Sequence, residues 1–197
     1  MSKSDPASSK RARYKTIKWV VTIFFVTILI SGIISFVSEE VMANSAMWVA
    51  FLILFAIILL GIIFDIIGVA VTSADEKPFH SMAARKVPGA LESIRLLRNA
   101  ERVSSICNDV IGDICGVVSG AASATIAAQV LQNFDFTWPR IVSLLMSALA
   151  AGFTVGGKAI GKTLAINSCT TIVHGVGRIL YFLSHITDVF HKEKTNS

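Results

Sequence analysis

Charge is scarce in this chain. Only 16% of its 197 residues are Asp, Glu, Lys or Arg, and residues 19–38, 41–64, 114–134 and 141–157 contain none. A soluble domain surrounds its core with charge, so runs of this length exclude that class. A bilayer span needs ~20 apolar residues, with ~17 as the lower limit, and all four runs qualify. With 53% hydrophobic residues and a mean hydropathy of +0.67, the chain reads as an all-α membrane protein of four transmembrane helices. The expected spans are residues 19–38, 46–73, 104–131 and 140–157, within one transmembrane domain over 19–190. A basic cytosolic segment (1–18) precedes that domain and a short tail (191–197) follows it. The first run is too long for a signal-peptide core, and Ser38-Glu-Glu-Val-Met offers no small-x-small cleavage site, so it reads as a signal-anchor helix.

Cysteine is equally sparse. Three are present, an odd number, and Cys107 and Cys115 stand too far apart along one helix to bridge. Free thiols packed as small hydrophobes are expected, which excludes a disulfide scaffold. Histidines His80, His174, His185 and His191 are scattered, without a paired His-x-x-x-His. No Cys-x-x-Cys, nucleophile elbow or G-x-G-x-x-G occurs. Hydrolytic, redox and nucleotide chemistry have no support, and the chain is not expected to be an enzyme. Gly156-Gly-Lys-Ala-Ile-Gly-Lys-Thr163 fits the P-loop pattern at each position. Yet a P-loop needs a strand before it and a sheet around it, whereas a membrane span precedes it here.

What charge there is falls in blocks. Lys3, Lys10, Arg11, Arg13, Lys15 and Lys18 precede the first span, and Lys77, Arg85, Lys86, Arg95, Arg98 and Arg102 follow the second. Glu39 and Glu40 lie between the first two spans, Arg140 alone serves the next outer turn, and Lys158 and Lys162 follow the fourth span. This alternation places both termini in the cytosol, as in a bacterial plasma membrane. An anionic leaflet beside the basic segments accounts for the net charge of +5, with no need of nucleic acid.

The loop over residues 74–103 has helical composition. Residues 81–86 and 90–101 predict two short amphipathic helices, divided by Val87-Pro-Gly89. A third amphipathic stretch, residues 163–190, carries His174, Arg178 and His185 and reads as a juxtamembrane helix. Asn44-Ser45 and residues 134–139 form outer turns, with Trp48, Phe136 and Trp138 as an interfacial aromatic belt. Gly112, Gly116 and Gly120 repeat at four-residue spacing in the third span, and Gly156 and Gly157 close a small-residue run in the fourth. Such faces let helices approach closely, within one protomer or in a homodimer.

Against this apolar background three acids stand out. Asp109 and Asp113 are one turn apart at the start of the third span, and Asp65 closes the charge-free run of the second. An ionised carboxylate inside a bilayer costs ~3 kcal/mol on insertion scales, so each is a functional candidate. Two carboxylates on one helix face repel each other, and a divalent cation relieves that repulsion. Asn108, Ser104, Ser105, Thr72 and Ser73 would complete an oxygen-only shell. The bland alternative is a pair of solvated helix-end acids, or acids paired with Arg102 or Lys158.

The chain resembles the transmembrane domain of the CorC/CorB and cyclin-M magnesium transporters. Phe64-Asp-Ile-Ile-Gly-Val-Ala-Val-Thr-Ser73 stands where that family has F-S-x-S-E-T-A-h-T-S, and Leu96-Leu-Arg-Asn-Ala-Glu-Arg102 where it has L-L-E-N-P-E-R. Residues 108–113 take the place of its cation-coordinating stretch, and Phe153-Thr-Val-Gly-Gly-Lys158 that of its closing G-E-x-x-P-K. Asp65 replaces the family's first motif serine, while Ile67 and Gly68 replace its second serine and its glutamate. The resemblance covers roughly residues 62–183 and lacks the family's soluble regulatory domains. It implies Mg²⁺ transport or export, with Na⁺ as a coupling ion. The expected site is Asp65, Asp109, Asp113 and Asn108. A non-transporting membrane scaffold or regulatory subunit, acting through its basic cytosolic loops, is the alternative.

Overall fold

The computed structural model describes the backbone of residues 6–43, 45–133 and 138–195, and the side chains of 17–42, 45–133 and 138–185. Among the described residues the fold is all-α, without strands. Its elements are α1 (Pro6–Ala43), α2 (Met47–Ser73), α3 (Lys77–Ala84), α4 (Ala90–Arg98), α5 (Ala100–Ser105), a π-helical stretch (Ile106–Gly112), α6 (Asp113–Asn133), α7 (Pro139–Asn167) and α8 (Cys169–Thr195). Four helices are long and apolar enough to cross a membrane: Ile17–Met42, Met47–Ser73, Ala100–Asn133 and Pro139–Asn167. Phe24, Leu29, Phe36, Leu52, Phe55, Leu144 and Phe153 point outward, exposed. This is the surface a multi-pass integral membrane protein offers to lipid and a soluble one does not.

The third spanning helix is the most enclosed, while α1 lies at the edge with little of its apolar run covered. Gln129 Nε2 donates to the Met42 carbonyl at 2.8 Å, satisfying one of the orphan acceptors at the end of α1. Along α2, Ala50, Leu54, Ile58, Gly61, Asp65 and Gly68 are all buried. Their three- and four-residue spacing makes one face. Its first half packs with Ala122, Ile126 and Ala150. Past Gly68, Ala70 and Val71 enter a second cluster with Phe79, Ile94, Leu97, Ala165 and Val173. Asp65 lies in the waist between the two clusters.

Several boundaries differ from the sequence expectation. The first short loop helix is α3, Lys77–Ala84, where residues 81–86 were expected. It ends in a pair of reversed bonds, Lys86 N–H to Ala83 O at 2.9 Å and Val87 N–H to Met82 O at 3.0 Å, with Lys86 at φ 55. This is a Schellman stop with lysine in the glycine position. The second loop helix stops at Arg98, because Asn99 at φ −115 breaks it from α5. The fourth spanning helix does not close near residue 157: α7 runs on through Lys158 and Lys162 to Asn167. Nothing in residues 158–167 stops a helix, and one face of that extension, Gly161 and Ala165, is buried. Ser168 separates α7 from α8, donating to Leu164 O and accepting from Ile172 N–H, both at 3.0 Å. The expected turn over residues 134–139 with Phe136 falls largely outside the described residues, as does Asn44.

Glycines set the close crossings. Gly89 adopts φ 85, and a Cβ there would overlap the backbone of Gly177 and Arg178. Gly177 in turn lies against Gly89 O and Ser93, and Ser93 Oγ donates to Gly89 O at 2.8 Å, with Val173 O of α8 also within 3.2 Å. The start of α4 is thereby pinned across α8.

Candidate functional site

Asp65 is 5% exposed, on a helix that is otherwise apolar until its end. Eight residues separate it from Ser73, about 12 Å at 1.5 Å per residue. Its Oδ1 lies 3.9 Å from Lys158 Nζ, while Oδ2 is buried with no hydrogen-bond partner. Lys158 Nζ also lies 3.5 Å from the Gly112 carbonyl. The side chain that Gly112 lacks would have stood 3.3 Å from that ammonium, so glycine makes room for it. Both contacts of the ammonium are long for charge-assisted bonds.

One turn along α2, Asn108 lies over Gly68, where any Cβ would overlap its amide. Asn108 Nδ2 donates to Ser104 Oγ at 3.3 Å, and its Oδ1 is buried and unpartnered. Native structures leave few buried polar atoms unpaired, and two such oxygens in one waist are what an ion or an ordered water would satisfy. The backbone there is special as well. Residues 106–112 form a π-helix, a widened turn that is frequent at functional sites. Close approach on the α7 side rests on Gly157 against Ile62 and Gly161 against Ile66. Gly61, whose Cβ would come within 2.9 Å of Cys115 Cβ, seats α6 on α2.

The three aspartates do not converge. Asp109 and Asp113 are exposed where Asp65 is buried, and Asp109 Oδ2 accepts from Ser105 Oγ at 2.8 Å. Among the described residues, no group of three or more His, Cys, Asp or Glu is placed to hold a metal ion. The glycine repeat divides in the same way. Gly112 is buried, whereas a side chain at Gly116 or Gly120 would meet nothing within 4 Å. The π-helix ends at Gly112, and the extra residue per turn rotates everything after it relative to a regular helix.

Of the supporting oxygens, Ser104 reaches the site through Asn108. Ser105 joins Asp109 instead. Thr72 is exposed near the end of α2, with its Oγ1 donating to Val69 O at 2.9 Å, and Ser73 is exposed beside it. Of the pairings considered for the acids with Arg102 or Lys158, the one formed is that of Lys158 with Asp65. Arg102 sits 5.8 Å from the Trp19 ring centroid, holding α5 to α1 through a cation–π contact. Sequence reasoning named Lys158 only as an alternative partner for the acids, and passed over Gly61, Gly68 and Gly161 as packing positions. A usable signal was there: Gly61, Asp65 and Gly68 follow the buried periodicity of α2.

Comparison with protein-family models, with curated proteins and with solved structures found no match. The resemblance to magnesium transporters therefore stands on the motif residues quoted above.

Proposed function

We propose that this chain is a membrane cation transporter whose ion-binding carboxylate is Asp65. The observation that carries the reading is the buried, unpartnered Asp65 Oδ2 in a waist that also offers Asn108 Oδ1 and the Gly112 carbonyl. A hard cation is held by such oxygens, and Mg²⁺ keeps several of its own waters when few protein ligands are offered. One carboxylate with neutral oxygens is thus an adequate, weakly held site, as transport requires. Mg²⁺ is the cargo that the motif resemblance favours, with Na⁺ as coupling ion. The distribution of Lys and Arg supports cytosolic termini. The open faces at Gly116, Gly120, Gly152 and Gly156, with nothing within 4 Å of an added Cβ, support a homodimer that covers them and Asp109 and Asp113.

The test is thermal stability of the detergent-purified protein against MgCl₂, CaCl₂, MnCl₂ and NaCl, with choline chloride as an ionic-strength control. A ligand that binds only the folded state raises the midpoint saturably. The expected result is a saturable rise lost in Asp65→Asn and kept in Asp109→Asn. No ion response in wild type or in Lys158→Met would favour the scaffold instead.

A further inference from the structure

Lys158 occupies the place that the proposed ion would take. Its ammonium stands between Asp65 Oδ1 at 3.9 Å and the Gly112 carbonyl at 3.5 Å. Resting on the reading of Asp65 as the ion-binding carboxylate, we propose that Lys158 is a tethered cation that closes this site, and that an ion binds only by displacing it.

The geometry distinguishes this role from a structural ion pair. A pair kept for stability is close and multiply bonded, since only good geometry offsets the desolvation of two charges. Here the ammonium makes no short contact with the carboxylate, and Asp65 Oδ2 and Asn108 Oδ1 remain unpartnered. Lysine is also the residue suited to leave: a compact charge on a flexible four-carbon stem, not a rigid bidentate fork. Its side chain is 21% exposed against 7% for that of Asp65, so it is the less enclosed member of the pair. Lys162, one turn further along α7, is exposed.

Charge arithmetic gives the consequence. Asp65 and Lys158 sum to zero, so with Lys158 in place an arriving cation meets repulsion from the ammonium about 4 Å from the carboxylate it seeks. With Lys158 withdrawn, the carboxylate carries its full charge toward the ion. The arriving cation takes the place of the tethered one. The site is thereby protected from standing as a bare buried carboxylate between binding events.

The test combines a variant with a measurement on wild type. Purified wild-type protein is treated briefly with an amine-acylating reagent in increasing NaCl or MgCl₂, against choline chloride. Modification of Lys158 and Lys162 is then read by peptide mass spectrometry. Displacement predicts that Lys158 labelling rises saturably with the ion while Lys162 labelling stays level. In Lys158→Met the ion concentration giving half of the thermal shift should fall about tenfold or more. An ion response in Lys158→Met but not in wild type would support the same conclusion. If wild type responds to the ion, yet Lys158 labelling is flat and Lys158→Met binds no more tightly, the tethered-cation role is overturned while the Asp65 site stands. No response in either protein, with flat labelling, overturns both. Should Lys158→Met fail to fold, the labelling of wild type decides alone.

Discussion

Asp65 and Lys158 each depend on the other for tolerable burial. Removing one partner of a buried pair leaves a charge uncompensated, at a cost of about 3–5 kcal/mol, whereas replacing both is often neutral. The single change Lys158→Met, in ion-free buffer, is thus expected to lower the unfolding midpoint more than the double change Asp65→Asn with Lys158→Met, a difference that a thermal melt in detergent reads directly. Asn108 is held differently, by absence of a side chain opposite it. Gly68→Ala places a methyl on its amide, and overpacking of this kind costs about 1–3 kcal/mol. A stability loss in that range with a weakened ion response is expected, and an unchanged melt would show that Asn108 is free to move aside. Lys86 offers the opposite sign. A left-handed backbone costs a non-glycine residue about 1–2 kcal/mol, so Lys86→Gly at φ 55 should stabilise by about 1 kcal/mol in the same assay.

At the scale of elements, α4 and α8 are locked by backbone contact. A Cβ at Gly177 would meet Gly89 O and Ser93, and one at Gly89 would meet the backbone of α8. Main-chain atoms cannot swing aside as a side-chain tip does. Gly177→Ala should therefore separate the two helices, with a loss of about 1–3 kcal/mol and faster proteolysis within α8 under native conditions. A protease pattern identical to wild type would contradict this. The π-helix over Ile106–Gly112 governs the other decisive element. It brings Gly112 and Asn108 to the waist and turns Asp109 and Asp113 outward, so the most conspicuous acids of the sequence lie off the buried face. Nothing in the composition of residues 106–112 marks a π turn, because that geometry answers to packing on both sides of the helix and not to local propensity.

For the molecule as a whole, the open glycine faces are the test of assembly. Gly120 has room for a side chain in this protomer, so Gly120→Leu should leave the protomer folded. In the proposed dimer it removes the close approach that small residues permit. A shift from dimer to monomer in size-exclusion chromatography coupled to light scattering is expected, and an unaltered mass would place the interface elsewhere. The sequence by itself determined the class, the four spans and the helical loop, because a bilayer reads length and apolarity residue by residue, and those are local properties. It marked Asp65 as the acid that closes the second apolar run, but not the buried face that carries it, because α2 is apolar on every side. Only the tertiary structure decided which lysine met that acid and which acids stayed outside. That choice depends on helix phase after the π turn and on approaches allowed by Gly61, Gly68, Gly112, Gly157 and Gly161. These are contacts between segments far apart in the chain, and no single segment's pattern encodes them.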